Sequence, residues 1–215
     1  MNKQITAPHI LLLLLTLTLF TACKTSGSGI EKIDQRQVGE FSSMSFEGAG
    51  KVEVTVAESF AVTVRTDDNL VGLVKSTVES GELKVLFPTD VSTDIGVNVS
   101  ISAPTLTVLS LRGATELTAT GLTGKSFDIK AAGASNVTLS GALENARIEC
   151  RGAAKVNASA LKAQNLAVIL EGAAKADVHA EKTLDVKIQG VGKVTYSGSP
   201  KLTEKIDGVG KIVKR

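Results

Sequence analysis

Lys155, Lys175, Lys193 and Lys211 each stand three after a glycine, at Gly152, Gly172, Gly190 and Gly208. Lys51 holds the same place after Gly48. A row of ammonium groups suits one task above others, the holding of an anion such as an acidic glycan or the phosphates of lipopolysaccharide. Charges about 4.8 Å apart, the spacing of neighbouring strands, repel by roughly 1 kcal/mol in water, and by less once salt screens them. The bland alternative is a solvated lysine row offset by Glu171 and Asp207, each directly before a repeat glycine.

Other reactive side chains offer less. His179 is the only histidine after residue 22 and is expected to point outward into solvent. Without a histidine pair, histidine metal sites and Ser/His or Cys/His catalysis have little to build on. Cys150 falls in an apolar register and is expected to be a buried, inert thiol. Asp67-Asp68, and Asp90 with Asp94, are loop acids that could hold calcium, but neither an EF-hand nor a nonapeptide calcium pattern is present. The glycine phrases lack the GxxxxGK[ST] pattern of a phosphate loop. No catalytic residue, metal site or cofactor is predicted, and the chain reads as a non-enzyme.

The lysines take their places from a recurring phrase. It reads Gly-Ala-Thr-Glu-Leu from Gly113, Gly-Ala-Ser-Asn-Val from Gly133 and Gly-Ala-Ala-Lys-Val from Gly152. It continues as Gly-Ala-Ala-Lys-Ala from Gly172, Gly-Val-Gly-Lys-Val from Gly190 and Gly-Val-Gly-Lys-Ile from Gly208. A nearly fixed period of about 20 residues marks a solenoid of stacked coils. Apolar residues recur two apart on both sides of each glycine: Leu109 and Leu111 then Leu117 and Ala119, Val168 and Leu170 then Ala176 and Val178. That spacing means two half-buried strands per coil, with a corner at the glycine. The expected fold is all-β: a right-handed parallel β-helix with coils of about 18–20 residues and a perimeter near 65 Å.

Residues 30–112 are less regular. Val52, Val54 and Val56 alternate with polar residues, and Glu79-Ser80-Gly81-Glu82 reads as a hairpin turn. This half either continues the solenoid with longer excursions or forms an antiparallel cap; residues 113–215 form the regular coils. The charged Lys214-Arg215 could blunt the far end.

Residues 1–22 read as a signal peptide, with Lys3 before an apolar run from Ile10 to Phe20 that is too short to span a bilayer. Phe20-Thr21-Ala22-Cys23 resembles the lipobox of bacterial lipoproteins, which implies acylation of Cys23 by chains such as palmitate and anchoring to a membrane. Lys24, in place of the aspartate that retains many lipoproteins at the inner membrane, favours the outer one. Residues 23–29 read as a lipid-anchored flexible tether ahead of a single domain over 30–215. Removing residues 1–22 removes one lysine from 24 basic residues, leaving 23 against 22 acidic ones. That near-neutral balance argues against a nucleic-acid partner. Aromatics at 3% suit a narrow core.

Arg36-Gln37-Val38-Gly39-Glu40-Phe41, Met44-Ser45-Phe46-Glu47-Gly48 and Val97-Asn98-Val99-Ser100-Ile101-Ser102-Ala103-Pro104, with the glycine phrases after them, resemble the head GIN domain family of auto-transporter adhesins. The resemblance implies a β-helical domain that is secreted or lipid-anchored, with an adhesin role and no catalytic motif. The leading expectation is therefore an envelope-anchored binding domain that presents a repetitive face to a glycan or protein. A periplasm-facing envelope scaffold shares every one of these features. A polysaccharide-degrading β-helix enzyme would need long inserts that coils of this length do not leave room for.

Overall fold

The structure, a computed structural model, describes residues 24–215. Its strands are β1 (Thr25–Ser26), β2 (Glu31–Arg36), β3 (Ser43–Val56), β4 (Ala61–Asp67), β5 (Lys75–Glu79), β6 (Glu82–Leu86), β7 (Val91–Ser92), β8 (Asn98–Ala103), β9 (Val108–Ser197) and β10 (Lys201–Lys214). Among the described residues there is no α-helix, only one short 3-10 turn at Val71–Leu73. The fold is all-β and its sheets are mixed.

Parallel pairing runs through the repeat region. β3 pairs in parallel with the start of β9, Ser43 opposite Val108 and Gly48 opposite Gly113. β10 pairs in parallel with the end of β9, from Lys201 opposite Thr183 to Lys214 opposite Tyr196, without a slip in register. Between them β9 is 90 residues of extended chain. It turns at glycines that lie one above another. A Cβ added to Gly133 would stand 2.3 Å from the Gly113 carbonyl oxygen, and one on Gly172 would stand 2.8 Å from that of Gly152. Both glycines have positive φ, +113° and +107°. Only glycine satisfies both demands at once.

The N-terminal half mixes parallel and antiparallel pairing. β3 bends at Gly48; its first arm pairs in parallel with β6 and its second with β8. Antiparallel strands then cover this end: β4 on β8, β2 on β4, and β5 on β6. The β5–β6 turn has positive φ at Ser80 and Gly81, the geometry that lets a two-residue hairpin follow strand twist. Larger rings gather here. Phe41 meets Phe60 edge-on at 5.1 Å, and Phe46 stacks on Phe87 at 6.5 Å.

Residues 24–29 depart from the expected flexible tether. Thr25 and Ser26 pair with Val91 and Ser92. The Gly27 amide donates to the Ser92 carbonyl at 2.7 Å, and the Gly29 amide to Asp67 Oδ1 at 2.7 Å. The Ser28 amide donates to Asn69 Oδ1, whose amide nitrogen returns a bond to the Ser26 carbonyl. Acceptors far along the chain thus satisfy a backbone that composition alone assigns to solvent. The expected signal peptide over 1–22 and the expected lipid site at Cys23 lie outside the described residues.

The inward registers are buried as their spacing requires, from Leu109 and Leu111 to Val186 and Ile188. The exceptions cluster in the last repeat. Ile206 shares the register of Ile188, yet it is 39% exposed while Ile188 is fully buried. β10 ends the sheet, so nothing among the described strands covers its outer side.

Candidate functional site

The alternation that buries Ala154, Val156, Ala174, Ala176 and Val194 turns Lys155, Lys175 and Lys193 outward. Lys211 is exposed likewise. Because each lysine follows its glycine by the same interval, the stacked glycines carry the lysines into one column. Lys193 and Lys211 are direct partners across β9 and β10. Lys51 is not continuous with them. Its β9 neighbour is Glu116, and its ammonium pairs with Glu53 at 3.5 Å.

The carboxylates that would offset the column are engaged elsewhere. Glu171 pairs with Arg151 at 3.0 Å, and Asp207 with Lys205 at 3.8 Å. Arg151 also meets Glu149, which in turn meets Arg147 at 3.4 Å. The face before the glycine therefore carries a self-compensating chain of charges that spans two repeats. On the other side of the glycine, no salt bridge among the described residues reaches Lys155, Lys175, Lys193 or Lys211. Exposed ammonium groups without counter-ions form a positive strip that favours an anion.

Lys175, Lys193 and Lys211 share a further feature that the sequence reading did not single out. They border a shallow trough with Val191 and Val209, which are 61% and 74% exposed. Its signal was present in the repeat phrase, which changes from Gly-Ala-Ala-Lys to Gly-Val-Gly-Lys in the last two copies.

The remaining reactive groups are structural. Half-buried His179 is tied to Ser197, its Nδ1 lying 2.9 Å from Ser197 Oγ, and so is not simply solvated. Ser197 Oγ donates in turn to the Val178 carbonyl at 3.4 Å. No carboxylate among the described residues bonds His179, so the pair lacks the orienting acid of a hydrolytic triad. Cys150 is fully buried, and burial, reinforced by neighbouring Glu149, pushes its thiol up to about 12. Asp67 is buried and accepts hydrogen bonds from the Gly29 amide and the Thr93 hydroxyl.

Residues 40–200 match the family model described as "Putative auto-transporter adhesin, head GIN domain". A putative adhesin from Bacteroides fragilis NCTC 9343 is similar in structure, with a TM-score of 0.74 at 22% identity, over 88% of this chain and 99% of that one. A putative lipid binding protein from Parabacteroides distasonis ATCC 8503 follows at a TM-score of 0.52 and 16% identity, over 88% and 98% of the two chains. A putative adhesin from the same organism matches at 0.51 and 17%, over 89% and 99%. At these identities the likeness is one of fold. Among curated proteins, no sequence matches the chain.

Proposed function

Since the chain belongs to the putative auto-transporter adhesin, head GIN domain family, we propose that it is a non-enzymatic binding domain of the bacterial cell envelope, whose ligand is a repeating polyanion such as an acidic glycan. The observation that carries this reading is the lysine column. Lys155, Lys175, Lys193 and Lys211 stand outward, while Glu171 and Asp207 are spent on Arg151 and Lys205. A ligand with charges at regular intervals meets several lysines at once, so individually weak contacts add.

The scaffold in this reading is a right-handed parallel β-helix. The unbroken register of β10 on β9 and the stacked glycines support it. Acylation at Cys23, after removal of residues 1–22, would fix the domain to the outer membrane. The docking of Thr25 then bears on its posture. Only about 7 Å of chain separates Cys23 from Thr25, so the end that carries β1, β7 and Asp67 would be held against the lipid.

Binding of the full chain to an acidic polysaccharide such as polygalacturonate, with a neutral polysaccharide as control, tests the reading. The Lys155→Glu, Lys175→Glu, Lys193→Glu variant is expected to lose binding to the acidic polymer. Wild-type affinity is expected to fall steeply with salt. Unchanged binding by the triple variant removes the lysine column as the site. Protease shaving of intact and lysed cells tests the face: cleavage on intact cells fits adhesion, and protection until lysis excludes it.

A further inference from the structure

The outer face changes shape over the last two coils. The residue directly after the repeat glycine is Ala114, Ala134, Ala153 and Ala173, then Val191 and Val209. The residue after that is Thr115, Ser135, Ala154 and Ala174, then Gly192 and Gly210. A branched side chain is gained at the outward position, while the inward-facing residue after it becomes glycine and leaves only backbone at the surface. Beside the two valines lies a trough of about 310 Å³, at the lower end of the range of about 300–1,000 Å³ that small-molecule sites occupy. Val191 and Val209, register partners across β9 and β10, form its rim. Gly192 and Gly210 form its floor, above the aliphatic layer of the core. A methyl on Gly192 would stand 2.8 Å from Ile188 Cγ2 and 3.3 Å from Leu170 Cδ1. Lys175, Lys193 and Lys211 form the third side, and no carboxylate among the described residues lines it. The groove beside Arg112 differs in kind, because Glu47 and Glu82 line it together with Lys84.

We propose that this trough binds the hydrocarbon chain of a single anionic amphiphile. The chain lies between the valine rim and the glycine floor, and its phosphate or carboxylate head sits on the lysines. Apolar lining removes the chain from water, and the one-signed lysine wall selects the sign of the head. The recess favours one chain over a flat bilayer, because a planar surface would rest on the valines and leave the floor unfilled. The proposal deepens the polyanion reading and rests on it only for the lysines. The valines and the glycine floor are independent of it.

Titration calorimetry on the full chain carrying Cys23→Ala, which cannot be acylated, tests the proposal. The probes are inorganic phosphate, then butyl, hexyl and octyl phosphate below their micellar concentrations, with octyl glucoside as the uncharged arm. Affinity is expected to rise about fourfold for each buried methylene. Inorganic phosphate and octyl glucoside are each expected to bind far more weakly than octyl phosphate. The Val191→Ala, Val209→Ala variant restores the residue that Ala153 and Ala173 already occupy, so it suits the coil. It is expected to flatten the dependence on chain length and to keep polygalacturonate binding. Affinity independent of chain length, or a dependence that survives in the valine variant, overturns the proposal. Binding to phosphatidylglycerol vesicles without binding of the monomeric phosphates also overturns it, because the patch is then a membrane face. A valine-dependent octyl phosphate site in a protein that ignores polygalacturonate would instead sink the polyanion reading alone.

Discussion

A Cβ on Gly190 would stand 2.6 Å from the carbonyl oxygen of Gly172, closer than side chains are found to approach backbone. The same relation repeats down the stack, so each corner glycine is tied to the one beneath it. Gly172→Ala, at φ +107° and 2.8 Å from the Gly152 carbonyl, is expected to cost about 3 kcal/mol or more in denaturant unfolding. Gly124→Ala is the comparison. Its φ is +126°, but a methyl there meets nothing within 4 Å, so strain alone sets its cost, about 1–2 kcal/mol. Equal losses at the two sites would show that the stacking contact contributes nothing.

The lysine column should burden the fold it decorates. Like charges in neighbouring repeats repel without a carboxylate among the described residues paired to them, so Lys175→Gln with Lys193→Gln is expected to gain up to about 1 kcal/mol at low salt. The gain should shrink as salt is raised. Thermal melts across a salt series would check this, and a loss of stability would show that the lysines are paired in solution.

Thr115 and Ser135 point hydroxyls into the core without a partner among the described residues. Later repeats place Ala154 and Ala174 at that register. Removing a buried, unpartnered hydroxyl while keeping its shape relieves a desolvation penalty. Thr115→Val is expected to raise stability by about 1 kcal/mol, and Ser135→Ala to be neutral or mildly stabilising. Destabilisation at both sites would point to a bound water holding the hydroxyls.

Cys150 sets an alkaline limit. Its thiol rises from 9.0 to about 12 in the fold through burial, so the folded state keeps a proton that the unfolded chain releases. That contribution to stability is whole below pH 9 and is lost as pH rises toward 12. Cys150→Ala should flatten the alkaline arm of a pH–stability profile. The wild-type thiol should resist alkylation at about pH 8, below its unfolded value, until denaturant is added, and rapid labelling of the native protein would contradict its burial.

Asp67 sets an acid limit. The Thr93 hydroxyl and, to a smaller degree, the Gly29 amide hold its carboxyl below the ordinary 3.8, against the opposing effect of burial. Its contribution is present above pH 3.8 and is lost as pH falls through the lower folded value. Protection of the Gly27 and Gly29 amides against hydrogen exchange, taken relative to the intrinsic rate at each pH, should fall in that acid range, and at neutral pH in Asp67→Ala. Exchange at Gly29 that ignores both changes would mean that the docking does not depend on Asp67.

Periodicity in a strand is a local property, and it was legible. Apolar residues two apart and glycines at a nearly fixed interval place the strands, the corners and the buried registers from Leu109 to Val194. They also turned the lysines outward. Ile206 shows where that reasoning ends. It carries the same pattern as Ile188, but burial requires a neighbour on each side, and β10 has one. The Gly-Ser stretch before Ile30 reads as linker because its partners, Asp67 and Asn69, are distant in the chain.

Which carboxylate neutralises which cation was equally hidden. Glu171 and Asp207 stand near the lysines in the chain, yet pairing depends on the face each side chain leaves and the strand it meets, and they turn to Arg151 and Lys205. The trough has the same origin. Val191 and Gly192 are an ordinary dipeptide until Val209 and Gly210 lie beside them, one repeat further on. Pattern along one strand could order the residues into faces, but the shape and charge of a face come from strands laid side by side.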